Sequence, residues 1–135
     1  MDTGEKGETI GMQLFIGGAF QGKREFMKQL TGVAETEIAE AASVSDTKEY
    51  RALNHYHLLI RKQLEQGQDP VRELEQLLQE QPEIILLCDE VGMGIVPMDK
   101  KDREYREAVG RTMCVAAQKA EKVYRVICGI GEKIK

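Results

Sequence analysis

Hydrophobic positions fall into three short continuous runs separated by longer stretches with helical spacing. The runs are MQLFIGG (12–18), EIILLCDE (83–90) and KVYRVICGI (122–130). Their length, and the glycines or acids that stop them, predict buried strands. After the first run, REFMKQLTG puts Phe26, Met27 and Leu30 at helical spacing, with Gly32 as the stop. The stretch VAETEIAEAASVSD (33–46) fits a weak second strand or a helical turn equally well. Asp46 or Thr47 then caps a predicted helix running to about Gln66, with Tyr50, Leu53, His57, Leu58 and Leu64 near one side and Gly67 at its end. Asp69-Pro70 opens another helix, with a good capping residue followed by a proline suited to the first helical position. Val71, Leu74, Leu77 and Leu78 form its apolar stripe, and Pro82 stops it. VGMGIVPMD reads as a glycine-rich loop closed by Pro97. Residues 100–121 form a long amphipathic helix with Tyr105, Val109, Met113 and Ala116 along one side.

Strands alternating with helices predict an α/β fold with a parallel sheet flanked by helices. Residues 1–11 read as a flexible polar tail and residues 12–135 as a single domain, in keeping with a chain of 135 residues. Aromatic residues make up only 5% and there is no Trp, which argues against a stacking platform for single strands. A net charge of −4 argues against nucleic acid as a partner and leaves room only for a small, locally held polyanion. Cys88, Cys114 and Cys128 are far apart and lie in apolar surroundings, which predicts reduced, buried thiols and a cytoplasmic location. The N-terminal residues lack the plan of a signal peptide, and no apolar run approaches membrane-spanning length.

The candidate chemistry starts at GGAFQGKR (17–24), which has the skeleton of a phosphate-binding loop: Gly17, four residues, Gly22, Lys23. Glycines let successive backbone N–H groups turn inward into a concave nest, and the following helix aims its positive end at the same place. Gly17, Gly18, Ala19, Phe20, Gln21, Gly22, Lys23 and Arg24 are therefore candidate nucleotide contacts. Lys23 adds a mobile ammonium for the outer phosphates. Arg24 stands where a Ser or Thr hydroxyl would hold Mg²⁺. That predicts retained phosphate affinity with weakened or rearranged metal binding, or a direct Arg24–phosphate contact. The plainer reading is a glycine turn that only leads the chain into a helix. Asp89 and Glu90 close the second apolar run, at the strand tip where an acid would hold Mg²⁺ or its water. Solvating the strand end is their alternative role.

DEVGMGIVP (89–97), the helix with YREAVGR (105–111) and the terminal GIGEKIK resemble the adenosylcobinamide kinase / adenosylcobinamide-phosphate guanylyltransferase family. The glycine loop is similar to that family's Gly-Gly-Ala-Arg-Ser-Gly-Lys-Ser. The likeness covers most of residues 12–32 and 84–135. It implies a three-layer P-loop (RecA-like) domain acting in cobalamin biosynthesis, with GTP or ATP and Mg²⁺ as cofactors and a corrinoid as co-substrate. It also implies a homo-oligomer, a trimer. The family carries GMP on a histidine that is followed four residues later by Arg and preceded eight residues earlier by an acid. His57, Arg61 and Glu49 stand at those spacings. A neutral imidazole nitrogen attacking the α-phosphorus, with an Arg neutralising the developing charge, is sound chemistry. His55 competes with His57 for this role; on a helix the two would point in different directions. His57 otherwise reads as a packed helix residue.

This sequence departs from the family pattern at three points. Arg24 replaces the family's metal-binding Ser, and Lys62 stands where a Pro follows the family's Arg. Between Arg61 and the strand near residue 84 there is room for little beyond one helix, where the family has a further strand bearing a Glu. These features imply a divergent, reduced member. It keeps kinase activity, guanylyltransferase activity or both, or binds nucleotide without catalysis.

Overall fold

The computed structural model describes residues 11–90 and 99–135. The expected tail at 1–11, except Gly11, and the loop predicted within 91–98 lie outside the described residues. Each apolar run becomes a strand: β1 is Gln13–Gly17, β4 is Ile85–Asp89 and β5 is Lys122–Ile127. Two short strands, β2 (Ile38–Glu40) and β3 (Ala52–Asn54), and a terminal β6 (Ile130–Lys133) complete the sheet. The helices are α1 (Lys23–Thr31), α2 (Tyr56–Glu65), α3 (Pro70–Glu80) and α4 (Lys100–Lys119).

The strand order is β2-β3-β4-β1-β5-β6. Every pairing is parallel except β5 with β6. β1 is central because alternate residues are buried on both faces: Leu14 faces one core and Phe15 the other. β4 does the same with Leu86 and Leu87. The first core gathers Ile60 of α2, Leu74 of α3, and Val109 and Ala116 of α4. The second takes Met27 and Phe26 of α1, with Phe15 stacked on Tyr124 at 5.0 Å between ring centroids. Helices on both faces of a mostly parallel sheet give three layers, as the alternation predicts. In such a sheet ligands bind outside the carboxyl ends of the strands, at the point where the winding reverses. Here the chain leaves β1 for the β2 edge, returns to β4, and crosses β1 to reach β5. The carboxyl ends that converge there are those of β1, β2, β3 and β4.

Several sequence expectations are corrected. No single helix spans 46–66. Asp46 caps a 3-10 turn, Thr47–Glu49, by accepting from the Lys48 N–H at 3.0 Å. β3 follows, and α2 begins only at Tyr56. Ala52 and Leu53 are fully buried between β2 and β4, so sheet pairing overrides the local helical spacing. The ambiguous 33–46 stretch contributes the short edge strand β2. The last run ends at Ile127, because Cys128 and Gly129, both at positive φ, turn the chain back into the antiparallel β6. The thiols are not all buried: Cys88 is, whereas Cys114 and Cys128 are exposed. Among the described residues all three are free, and no helix is long and apolar enough to cross a membrane.

Candidate nucleotide site

β1 delivers the glycine loop to the middle of the sheet's carboxyl edge. Gly17 is needed for packing: a Cβ there would sit 2.4 Å from the Val126 carbonyl oxygen of the neighbouring strand. Gly22 has φ +86° and is the N-cap of α1, a left-handed conformation that glycine adopts without steric penalty. The β5–β6 turn braces the loop from the side. The Gly129 N–H donates to the Gln21 carbonyl, and the Cys128 N–H to the Gln21 side-chain oxygen, both at 2.7 Å. Nothing in the residue pattern around Gln21 signalled that brace, because it joins residues 107 positions apart.

Lys23 lies buried beneath the loop. Its Nζ donates to the Gly18 carbonyl at 2.9 Å, the Gly17 carbonyl at 3.3 Å and Asp89 Oδ1 at 2.7 Å. These three acceptors match the three donors of an ammonium. Asp89, at the tip of β4, is shared: its Oδ2 lies 3.5 Å from His57 Nε2, and its backbone N–H donates to His57 Nδ1 at 3.1 Å. An Nδ1 that accepts places the ring proton on Nε2. Nδ1 of His57 is therefore engaged, Nε2 faces the Asp89 carboxylate, and the ring is buried in the first turn of α2. Burial holds its pKa below the usual histidine value, although the Asp89 carboxylate pulls the other way. With Nδ1 accepting from the Asp89 N–H, the imidazole packs against the tip of β4.

His55 is the exposed member of the pair. It caps α2 at φ +55°, with its ring edge-on to His57 at 5.7 Å. It lines a cleft of about 340 Å³ together with Ala19 to Glu25, Asn54 and Asp89. Its Nδ1 lies 2.6 Å from Glu40 Oε1. Only His55 of the two lines the cleft, but not for the helical reason expected, since His55 precedes α2 as its N-cap.

Of the other candidates, Phe20 and Arg24 line the same cleft, whereas Glu90 and Arg61 do not. Phe20 is fully exposed at the loop tip. Arg24 pairs with Glu35 and lies 3.6 Å from Glu40. Glu90 turns away to Arg125 of β5, at 3.0 and 3.4 Å. Arg61 is not part of the cleft: its guanidinium stacks 4.9 Å over the Tyr105 ring, in a separate hollow between α2 and α4. Glu49 precedes β3, beside residues that line the amino-terminal edge of β4, and so sits at the opposite end of the sheet from His57. Glu40 and Asn54, which sequence reasoning missed, enter the site because β2 and β3 pair in register there.

Among the described residues the donor set does not build a protein-held Mg²⁺ site. Mg²⁺ requires oxygen ligands in near-octahedral geometry. Asp89 is engaged by Lys23, Glu90 by Arg125, and position 24 supplies a cation instead of a hydroxyl. Among the described residues no group of three or more His, Cys, Asp or Glu side chains is arranged to hold a metal ion.

Comparison with known proteins agrees with this architecture. A family model described as cobinamide kinase / cobinamide phosphate guanyltransferase matches residues 39–134. The bifunctional adenosylcobalamin biosynthesis proteins of Salmonella typhimurium and Escherichia coli are each 44% identical over 52 residues. That stretch is 38% of this chain and 29% of each relative's length.

Proposed function

The chain belongs to the cobinamide kinase / cobinamide phosphate guanyltransferase family, and on that premise we propose that it binds a nucleoside triphosphate in the cleft and acts on a corrinoid in cobalamin biosynthesis. The observation that carries the reading is the single cleft shared by the glycine loop, Lys23 and His55. Loop amides and Lys23 hold the phosphates, with Lys23 exchanging a loop carbonyl or Asp89 for a phosphate oxygen.

His55, rather than His57, carries the GMP. Its Nδ1 hydrogen bond to Glu40 leaves the lone pair on Nε2, and no described residue donates to that nitrogen. Nε2 attacks the α-phosphorus of GTP, a P–N bond forms, and pyrophosphate leaves with the electron pair of the broken P–O bond. A phosphate oxygen of the corrinoid then displaces the imidazole, which recovers its lone pair. Any Mg²⁺ enters with the triphosphate. Phosphorylation of the corrinoid hydroxyl at the same loop is the companion activity. Arg61 has no part in this scheme. The family likeness also motivates a homo-oligomer, checked by light scattering.

The test is incubation with GTP followed by intact-mass and peptide mass spectrometry. The expected result is an acid-labile GMP adduct on His55 that is absent in His55→Asn. An adduct on His57 overturns the assignment. Nucleotide binding with neither adduct nor corrinoid phosphorylation favours the second reading, a non-catalytic nucleotide binder. The Arg24–Glu35 pair, where a metal-binding hydroxyl would stand, is what motivates that reading.

A further inference from the structure

We propose that Glu40 is a positioning residue whose carboxylate fixes the ring proton of His55 on Nδ1 and so keeps Nε2 as the nucleophilic nitrogen. The inference rests on the histidine-transfer reading above and adds what prepares the ring for it.

Glu40 is the last residue of β2 and pairs in register with Asn54, the last residue of β3. Side chains at paired positions lie on the same face of a sheet. Accordingly Glu40 Oε2 accepts from Asn54 Nδ2 at 3.0 Å, with Asn54 itself buried. Arg24 Nη1 approaches the same oxygen at 3.6 Å. That leaves Oε1 for His55 Nδ1 at 2.6 Å, a short, charge-assisted contact. The partner on His55 is brought there by its left-handed backbone, at φ +55°, which ends the strand and starts α2 in one residue. Non-glycine residues adopt this conformation only where the surroundings enforce it. Burial works against ionisation of Glu40, but its hydrogen bonds with His55 and Asn54 outweigh burial and hold its pKa below the usual carboxylate value.

The consequence is chemical. A neutral imidazole has one lone pair, and which nitrogen bears it is set by the bond the other makes. With Nδ1–H donated to Glu40, attack through Nε2 produces a phosphorylated imidazolium. Its charge then lies beside a carboxylate already in place, as an orienting acid serves a catalytic histidine. Arg24 acquires a role as well. At the position after the loop lysine, its guanidinium pairs with Glu35 and lies 3.6 Å from Glu40, adding positive charge beside that carboxylate.

The measurement is the long-range ¹H–¹⁵N correlation spectrum of uniformly labelled full-length protein at mildly alkaline pH. In the wild type, His55 is expected as the Nδ1–H tautomer. In Glu40→Ala it reverts mainly to Nε2–H. The rate of GMP adduct formation at saturating nucleotide falls at least about tenfold. Glu40→Gln is the second variant if the alanine form does not fold: it keeps the shape but lacks the charge facing the imidazolium, and it also slows adduct formation. An Nε2–H tautomer in the wild type, or a His55 spectrum unaltered by both substitutions, overturns the proposal. A tautomer switch on Glu40→Ala, together with a wild type that never takes up GMP, leaves Glu40's hold on the ring standing and overturns the transfer reading instead.

Discussion

The backbone N–H of Asp89 donates to Nδ1 of His57 across 3.1 Å, tying the tip of β4 to the first turn of α2. Because burial depresses the His57 pKa, the unfolded chain binds a proton that the folded chain refuses. Stability is therefore full above about pH 6.5, the ordinary histidine value, and falls as pH drops below it. Thermal unfolding between pH 7.5 and 5 checks this. His57→Gln is expected to be less stable at neutral pH and to lose part of the acid-side slope. A slope unchanged by the substitution contradicts the assignment.

Lys23 and Asp89 form the site's most buried ion pair, at 2.7 Å. Removing one partner strands the other charge, at a cost of about 3 kcal/mol. Lys23→Met is expected to lose that much in urea unfolding and to abolish nucleotide binding. Adding Asp89→Asn recovers part of the stability but none of the binding. A double-variant loss equal to the sum of the Lys23→Met and Asp89→Asn losses shows that the pair is not coupled.

Gly22 and Gly18 are expected to respond differently to alanine. At Gly22 the left-handed φ costs about 1–2 kcal/mol for any L-residue, and the new Cβ would lie 3.0 Å from Gly129 Cα. Gly18→Ala meets only the flexible Gln21 side chain, at 3.5 Å, and is expected to be nearly neutral. Denaturation midpoints of the two variants decide the matter.

The thiols are expected to titrate in two classes. Cys114 and Cys128 are exposed and react with a disulfide reagent in the native protein. Cys88 is buried, and its thiol is pushed up to about 12 by burial, so it reacts only on unfolding. Three fast thiols would place the β4 tip outside the core.

The residue pattern by itself determined the strands β1, β4 and β5, the helices α1, α3 and α4, and the strand–loop–helix setting of Gly17 to Lys23. These elements are long enough for period and punctuation to show, or carry a local cap such as Asp69. Only the tertiary structure decided β2 and β3, three residues each, because so short a strand acquires its stability from neighbours distant in sequence. With β3 hidden, His55 looked helical; in the fold it is the hinge between strand and helix. The same pairing brought Glu40 to His55 and committed His57 to Asp89. Which nitrogen carries a proton, and which ring meets the cleft, depends on hydrogen-bond partners 15 and 32 residues away. Local spacing holds no information about such partners, since the sheet register that assembles them is set by burial across the whole core.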